Sequence, residues 1–200
     1  MPDCDHYKRM RRRFGADAVT QSMKAVDRAD FLPEQVRALA EADQALPIGH
    51  NQTNSQPHTV ANMLRLLDAH PGHKVLDVGA GSGWTTALLG HLVGETGRVL
   101  GVELVPELAQ GASAAVAAYD MPWAEVRQAQ PGVLGLPEEG PFDRILVSAS
   151  AEQLPDDLVD QLAEGGVMVV PVGAEMLLVA RTAGDVVVTQ HGAYSFVPLR

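Results

Sequence analysis

The chain of 200 residues contains a single cysteine, Cys4. One thiol excludes an internal disulfide framework and any cysteine-built metal site. No apolar run is long enough to span a membrane, and the N-terminus lacks the apolar core of a signal peptide. A reducing, cytoplasmic setting is therefore expected. Positive charge is in deficit: 15 Lys and Arg stand against 25 Asp and Glu, a net charge of −10. That balance argues against non-specific binding to nucleic acid or to an anionic membrane. The histidines show no metal-ligand spacing with acids or cysteine, so no metal site is expected. No Gly-Lys-Ser/Thr follows the glycine-rich stretch, which excludes a P-loop. Ala80 stands where a hydrolase elbow around Ser82 would need glycine. Internal repeats, low-complexity segments and Gly/Ser linkers are also lacking. The length and the 46% hydrophobic content suit one domain with a sizeable core, residues 1–200.

What is present centres on Val75–Thr86, VLDVGAGSGWTT. The apolar run Val75-Leu76-Asp77-Val78 reads as a buried strand. It ends in Gly79-Ala80-Gly81-Ser82-Gly83, and an apolar helix pattern follows at once. Strand, glycine turn and helix open a Rossmann-type unit. Gly79 and Gly81 permit a tight turn and a close backbone approach by a ligand. A second apolar strand, Val99-Leu100-Gly101-Val102, ends in Glu103, where a carboxylate can take both hydroxyls of a ribose. Together these mark a nucleoside-binding unit. The turn reads D-x-G-x-G-x-G, beginning at Asp77, and resembles motif I of class I S-adenosylmethionine-dependent methyltransferases. The resemblance implies that Asp77, Gly79, Ala80, Gly81, Ser82, Gly83, Glu103 and Leu104 form the site for S-adenosyl-L-methionine.

Taken in order, the chain opens with a basic cluster, Lys8–Arg13. It reads better as the solvated face of a first helix than as a nucleic-acid arm, because it is brief and the rest is acidic. Helical patterns cover about 16–26 and 33–42, with Pro33 in the first turn of the second. Residues 43–58 read as a long irregular loop. A helix then starts at Gln56 or Pro57, with Val60, Met63, Leu64 and Leu67 at i, i+3, i+4, i+7. Ser55 or Gln56 would cap it, and a helix start can seat a carboxylate. Simple capping is the commoner use of such a serine. Beyond Gly72, strands are expected near 75–79, 99–104, 124–129, 142–149, 166–172, 176–182 and 185–191. Helices are expected near 84–93, 106–118 and 155–162. The fold class predicted is α/β: a Rossmann-like, doubly wound, seven-stranded, mostly parallel sheet with an antiparallel C-terminal hairpin. Residues 1–70 would add N-terminal helices and an active-site loop to a cofactor-binding core at 71–200.

These pieces, in order, resemble the protein-L-isoaspartate O-methyltransferase family along nearly the whole chain. Val26–Phe31 looks like the family's first segment. Leu46-Pro47-Ile48-Gly49 and Gln52-Thr53-Asn54-Ser55-Gln56-Pro57 resemble its active-site loop, the most specific signal. Glu103–Ala109, Gly135-Leu136-Pro137, Pro141-Phe142-Asp143, Gly165-Gly166 and Pro171-Val172-Gly173 continue the match. Phe196-Val197-Pro198-Leu199 looks like a C-terminal strand. The resemblance implies methyl transfer from S-adenosyl-L-methionine to the free carboxylate of L-isoaspartyl residues in damaged proteins or peptides, with S-adenosyl-L-homocysteine as product. Thr53 and Ser55 would hold that carboxylate, and a monomer is expected. Three departures stand out: Gln130-Pro131-Gly132 where the family has Gly-Asp-Gly, His50-Asn51 where an aromatic and a glycine are commoner, and Glu175 near the place of a usual Gln. A methyltransferase of another peptide carboxylate, or a non-catalytic homologue weakened at Pro131, are the rival readings. His50 and His58 read as loop or cap residues, and Trp84 as core more readily than as a cofactor contact.

Overall fold

The computed structural model describes residues 17–199, so Cys4, His6 and the basic cluster Lys8–Arg13 lie outside the described residues. Helix α1 (Ala18–Ala25) is capped by Asp17, whose carboxylate accepts the Thr20 N–H at 2.8 Å. A 3-10 turn follows at Arg28–Phe31. The helix expected to run to residue 42 is only α2 (Glu34–Arg37), and Pro33 sits outside it as the cap. No residue of α2 is fully buried and only Val36 packs partly on a small core, so little apolar surface rewards its extension. Beyond it, the Ala40, Ala42 and Gln44 carbonyls are taken by the Arg28 guanidinium.

The expected irregular loop contains a hairpin, β1 (Leu46–Gly49) with β2 (Gln52–Asn54). Its turn residues, His50 and Asn51, are both left-handed at φ 53° and 58°, the pattern of a two-residue type I′ turn. Leu46 and Ile48 point into a small core shared with Leu32. Helix α3 (Pro57–Leu67) buries the expected Val60, Met63, Leu64 and Leu67.

The main sheet comprises β3 (Lys74–Val78), β4 (Arg98–Glu103), β5 (Ala124–Gln128), β6 (Phe142–Val147), β7 (Leu162–Val172), β8 (Glu175–Thr182) and β9 (Asp185–Ala193). Their order is β5-β4-β3-β6-β7-β8-β9. The first five are parallel, and β8 and β9 return antiparallel. This is the predicted class. Alternate residues of the central strands feed opposite faces: Val75 and Val99 pack among the first core, Leu76 and Leu100 in the second. Burial on both faces explains why these strands read as unbroken apolar runs. Helices α1, α3, α4 (Trp84–Val93) and α5 (Pro106–Ala117) cover the first face. The short α6 (Asp156–Val159) covers part of the other through Leu158 and Val159. Two boundaries differ from expectation. β7 begins at Leu162 rather than 166, which cuts the helix expected over 155–162. Phe196–Leu199 forms no strand; it makes an isolated bridge, Ser150 to Pro198.

Candidate active site

Strand order reverses between β3 and β6, because β4 and β5 lie to one side of β3 and β6 and β7 to the other. Ligands of open α/β sheets sit outside the carboxyl ends of the strands at such a point. A cleft of about 740 Å³ opens there, lined by Gly79, Gly81, Glu103, Leu104, Pro131 and Ser148 among others.

The cleft floor is a braced glycine loop. The Gly79 and Ala80 N–H groups both donate to the Val102 carbonyl, at 2.9 and 3.0 Å. Gly81 donates its N–H to Glu103 Oε2 at 2.8 Å, and Val105 donates to Oε1 at 2.9 Å. Each carboxylate oxygen thus holds one backbone N–H and keeps a further lone-pair direction for a ligand. Beyond the ribose role expected of it, Glu103 ties the loop to the end of β4. Gly81 has φ +56°, and a side chain there would start 3.3 Å from Ile48 Cδ1. Gly83 serves packing: a Cβ would meet Val116 and Ala112 of α5 at 3.0–3.2 Å. The cleft therefore fits a nucleoside, with bare backbone on one wall and a fixed carboxylate beside it.

The other motif residues stand behind this wall. Asp77 is fully buried, and its Oδ2 accepts the Thr85 and Thr86 hydroxyls, each at 2.7 Å. Its Oδ1 is buried with no hydrogen-bond partner among the described residues. Burial pushes the carboxyl up to about 6, against the lowering effect of the two threonines. Asp77 thus fixes the start of α4 to β3. Ala80 is buried, and the Ser82 hydroxyl receives a hydrogen bond from Asn54 Nδ2 at 3.1 Å. Trp84 is core, 4% exposed, with the Arg28 guanidinium 5.4 Å over its ring.

A second cavity, about 760 Å³, adjoins the first and is lined by Thr53, Ser55, His58, Asn62, Ser148 and Tyr194 among others. Thr53, Ser148 and Val197 line both cavities. The expected pair Thr53 and Ser55 therefore comes together on one wall, and Thr53 stands where the cavities meet. Sequence reasoning missed Ser148, which follows β6 and gives its N–H to the Val78 carbonyl at 2.9 Å. Its position at the carboxyl end of a central strand was the available signal. It also missed Val197, held in place because Ser150 donates to the Val197 carbonyl at 2.8 Å.

The start of α3 is only partly open as a seat for a carboxylate. Pro57 has no N–H, and the His58 N–H already donates to Asp43 Oδ1 at 2.9 Å. The capping group is Asp43 rather than Ser55 or Gln56, neither of which caps the helix through its side chain. At the far rim, Val133 N–H donates to the Gln130 carbonyl at 3.1 Å, and Gly132 has φ +79°. Pro131 and Gly132 thus occupy the middle of a turn of type II pattern, and Pro131 lines the cleft.

No helix among the described residues is long and apolar enough to cross a membrane, and no cluster of metal-ligating side chains occurs among them. The model of the protein-L-isoaspartate(D-aspartate) O-methyltransferase family matches residues 6–200. A protein-L-isoaspartate O-methyltransferase of Methanopyrus kandleri is 46% identical over 191 residues, covering 92% of this chain and 84% of its own. One from Methanothrix thermoacetophila is 42% identical, covering 94% and 90%. A Plasmodium falciparum chain described as a protein-L-isoaspartate O-methyltransferase, crystallised with S-adenosyl-L-homocysteine, superposes with a TM-score of 0.85 at 27% identity, covering 98% and 97%. By family model and by identity over nearly its full length, this chain belongs to the protein-L-isoaspartate(D-aspartate) O-methyltransferase family.

Proposed function

We propose that this chain transfers a methyl group from S-adenosyl-L-methionine to the free carboxylate of L-isoaspartyl residues in damaged polypeptides. The observation that carries the reading is the junction of the two cavities at Thr53, Ser148 and Val197. One cavity has the glycine wall and Glu103 carboxylate that suit the cofactor; the other carries the hydroxyl groups that suit the acceptor. When bound, S-adenosyl-L-methionine supplies a methyl group activated on a sulfonium.

In this reading Gly79, Gly81, Glu103 and Leu104 hold the cofactor, and Asp77, Ala80, Ser82 and Gly83 shape the loop that does so. Thr53 and Ser55 bind the acceptor carboxylate through their hydroxyls, with Ser148 as a third hydroxyl at the junction. An acceptor carboxylate is already ionised at neutral pH, so no general base is required. The protein's part is to orient that group and to exclude water, which can supply a large share of the rate. With the His58 N–H at the α3 start taken by Asp43, hydroxyls are the main donors for the acceptor in this reading. The backbone amide nitrogen would then attack the ester carbonyl and release methanol, closing a succinimide, and addition of water would return part of it as ordinary aspartate, a repair of the damaged chain. A monomer acting in the cytoplasm, with neither nucleic acid nor membrane as partner, fits the single cysteine and the charge of −10. The rival reading of a non-catalytic homologue is opposed by the intact brace between Glu103 and Gly81.

The test is chromatographic. An isoaspartyl peptide incubated with the protein and S-adenosyl-L-methionine should be consumed, with the matching aspartyl peptide appearing. An untouched isoaspartyl peptide would overturn the proposal.

A further inference from the structure

Arg28 belongs to neither cavity, yet it is 5% exposed and its guanidinium is fully engaged. Nε donates to Asn54 Oδ1 at 2.7 Å. Nη2 donates to the carbonyls of Ser55 at 2.9 Å, Gln44 at 2.8 Å and Asn54 at 3.2 Å. Nη1 donates to the Ala40 and Ala42 carbonyls, at 3.1 and 3.0 Å. A planar fork with five donors can hold diverging carbonyls in one fixed geometry; an ammonium cannot. Burial draws this guanidinium down to about 10, with the charge of Asp43 opposing, so it stays ionised at neutral pH.

Asn54, also 5% exposed, ends the hairpin. Its amide is used at both ends: Oδ1 takes Arg28 Nε, and Nδ2 donates to Ser82 Oγ at 3.1 Å. Ser82 neighbours Gly81, whose N–H is held by Glu103. A continuous path of hydrogen bonds therefore runs from the Ser55 carbonyl through Arg28 and Asn54 to the glycine loop. It crosses between segments 28 residues apart in sequence, Asn54 and Ser82. One end carries the acceptor hydroxyls, and the other is the wall of the cofactor cleft.

We propose that Arg28 and Asn54 are positioning residues, a buried strut that sets the acceptor hairpin in register with the cofactor loop. The proposal rests on the methyltransferase reading above. Its consequence is specific. Loosening the strut leaves each cavity able to bind but lets the acceptor drift from the methyl donor. Misalignment of about an ångström costs rate heavily, so the loss should fall on kcat and not on affinity. Filling the cofactor cleft should also steady the hairpin through the same path.

The experiment uses the full chain and Ser82→Ala, which removes the acceptor of the Asn54 amide without touching the Arg28 fork. The kcat for an isoaspartyl peptide should fall roughly ten- to a hundredfold. Peptide KM and the Kd for S-adenosyl-L-homocysteine should stay within about threefold. Ser82→Thr keeps the hydroxyl and should retain most of the rate. Adding Asn54→Ala to Ser82→Ala should cost less than the product of the two single losses, the mark of groups acting as one unit. A second arm needs no turnover: S-adenosyl-L-homocysteine should slow amide hydrogen exchange at Gln52–Ser55 in the unmodified protein, and not in Ser82→Ala. Unchanged kcat in Ser82→Ala, a parallel loss of S-adenosyl-L-homocysteine affinity, or equal hairpin protection in both proteins would overturn the strut. Failure of the unmodified protein to methylate the peptide would instead overturn the functional reading, and the exchange arm would still decide the strut.

Discussion

Replacing Glu103 by Gln should weaken both the cofactor cleft and the empty protein. The substitution keeps the shape of the side chain and removes its charge. In the native protein one carboxylate oxygen accepts from Gly81 N–H at 2.8 Å and the other from Val105 N–H at 2.9 Å. A carboxamide has one acceptor oxygen, so its NH₂ must face one of these N–H groups, donor against donor. Hydrogen bonds to a charged group are worth about 1.5–3 kcal/mol each. Losing one brace should therefore lower the stability of the cofactor-free protein by about that amount. For a chain of this size 1 kcal/mol corresponds to about 2–4 °C in Tm, so a fall of roughly 3–12 °C is expected. If Glu103 also takes the ribose, as proposed, the cofactor loses a charged acceptor as well. At about 1.4 kcal/mol per decade, S-adenosyl-L-homocysteine affinity should drop about tenfold or more. Thermal melts without cofactor and titration calorimetry read the two effects separately. A variant with native Tm and native affinity would refute the dual role. A loss of affinity with no change in Tm would refute the brace.

Two further substitutions probe the cleft and the wall behind it. Burial raises Asp77 from 3.8 to about 6, so the protonated form is favoured by folding; its contribution is complete below about pH 4 and is lost as pH rises through 6. The shift corresponds to about 3 kcal/mol, and Asp77→Asn should gain stability relative to the native protein between pH 4 and 7, read from paired melts; a pH-independent difference would contradict this. Pro131 sits at the second position of its turn, a place that accepts most residues, so Pro131→Asp should fold and offer the cleft a charged acceptor. Calorimetry should show S-adenosyl-L-homocysteine binding about tenfold tighter, the worth of one charge-assisted bond; no gain in a folded variant would mean that the cofactor has no unsatisfied donor at this rim.

The elements buried on both sides were legible in the sequence. β3, β4 and β6 announce themselves as apolar runs, and α3 shows its spacing of Val60, Met63, Leu64 and Leu67 because that one stripe is buried. The hairpin of β1 and β2 was not legible. Its strands are three or four residues long, only Leu46 and Ile48 are large and apolar, and its left-handed turn is His50-Asn51 rather than a pair containing glycine. The early start of β7 was hidden by Glu164, Gly165 and Gly166. At the site, the glycine loop and Glu103 were recognisable from spacing, but spacing does not say which way a side chain points. Asp77 and Ser82 belong to the same stretch as Gly79 and Gly81, yet turn to Thr85, Thr86 and Asn54. Arg28 escaped notice because most of its partners are backbone carbonyls on segments 12 to 27 residues away. Asp43 as the cap of α3 is a long-range contact of the same kind.

If the two cavities meeting at Thr53, Ser148 and Val197 seat the acceptor as proposed, they fix one carboxylate isomer opposite the methyl donor. An isoaspartyl residue carries its free carboxylate one methylene nearer the backbone branch than ordinary aspartate does. A seat built from fixed hydroxyls should align only that isomer, and alignment governs the rate. The decisive measurement is the initial rate of methyl transfer from S-adenosyl-L-methionine to an isoaspartyl peptide and to its aspartyl twin, in the native protein and in Ser55→Ala. Rapid methylation of the isoaspartyl peptide is expected, with background rates on the twin and a depressed rate in Ser55→Ala at nearly unchanged S-adenosyl-L-homocysteine affinity. Equal rates on the two peptides, or full activity in Ser55→Ala, would contradict it.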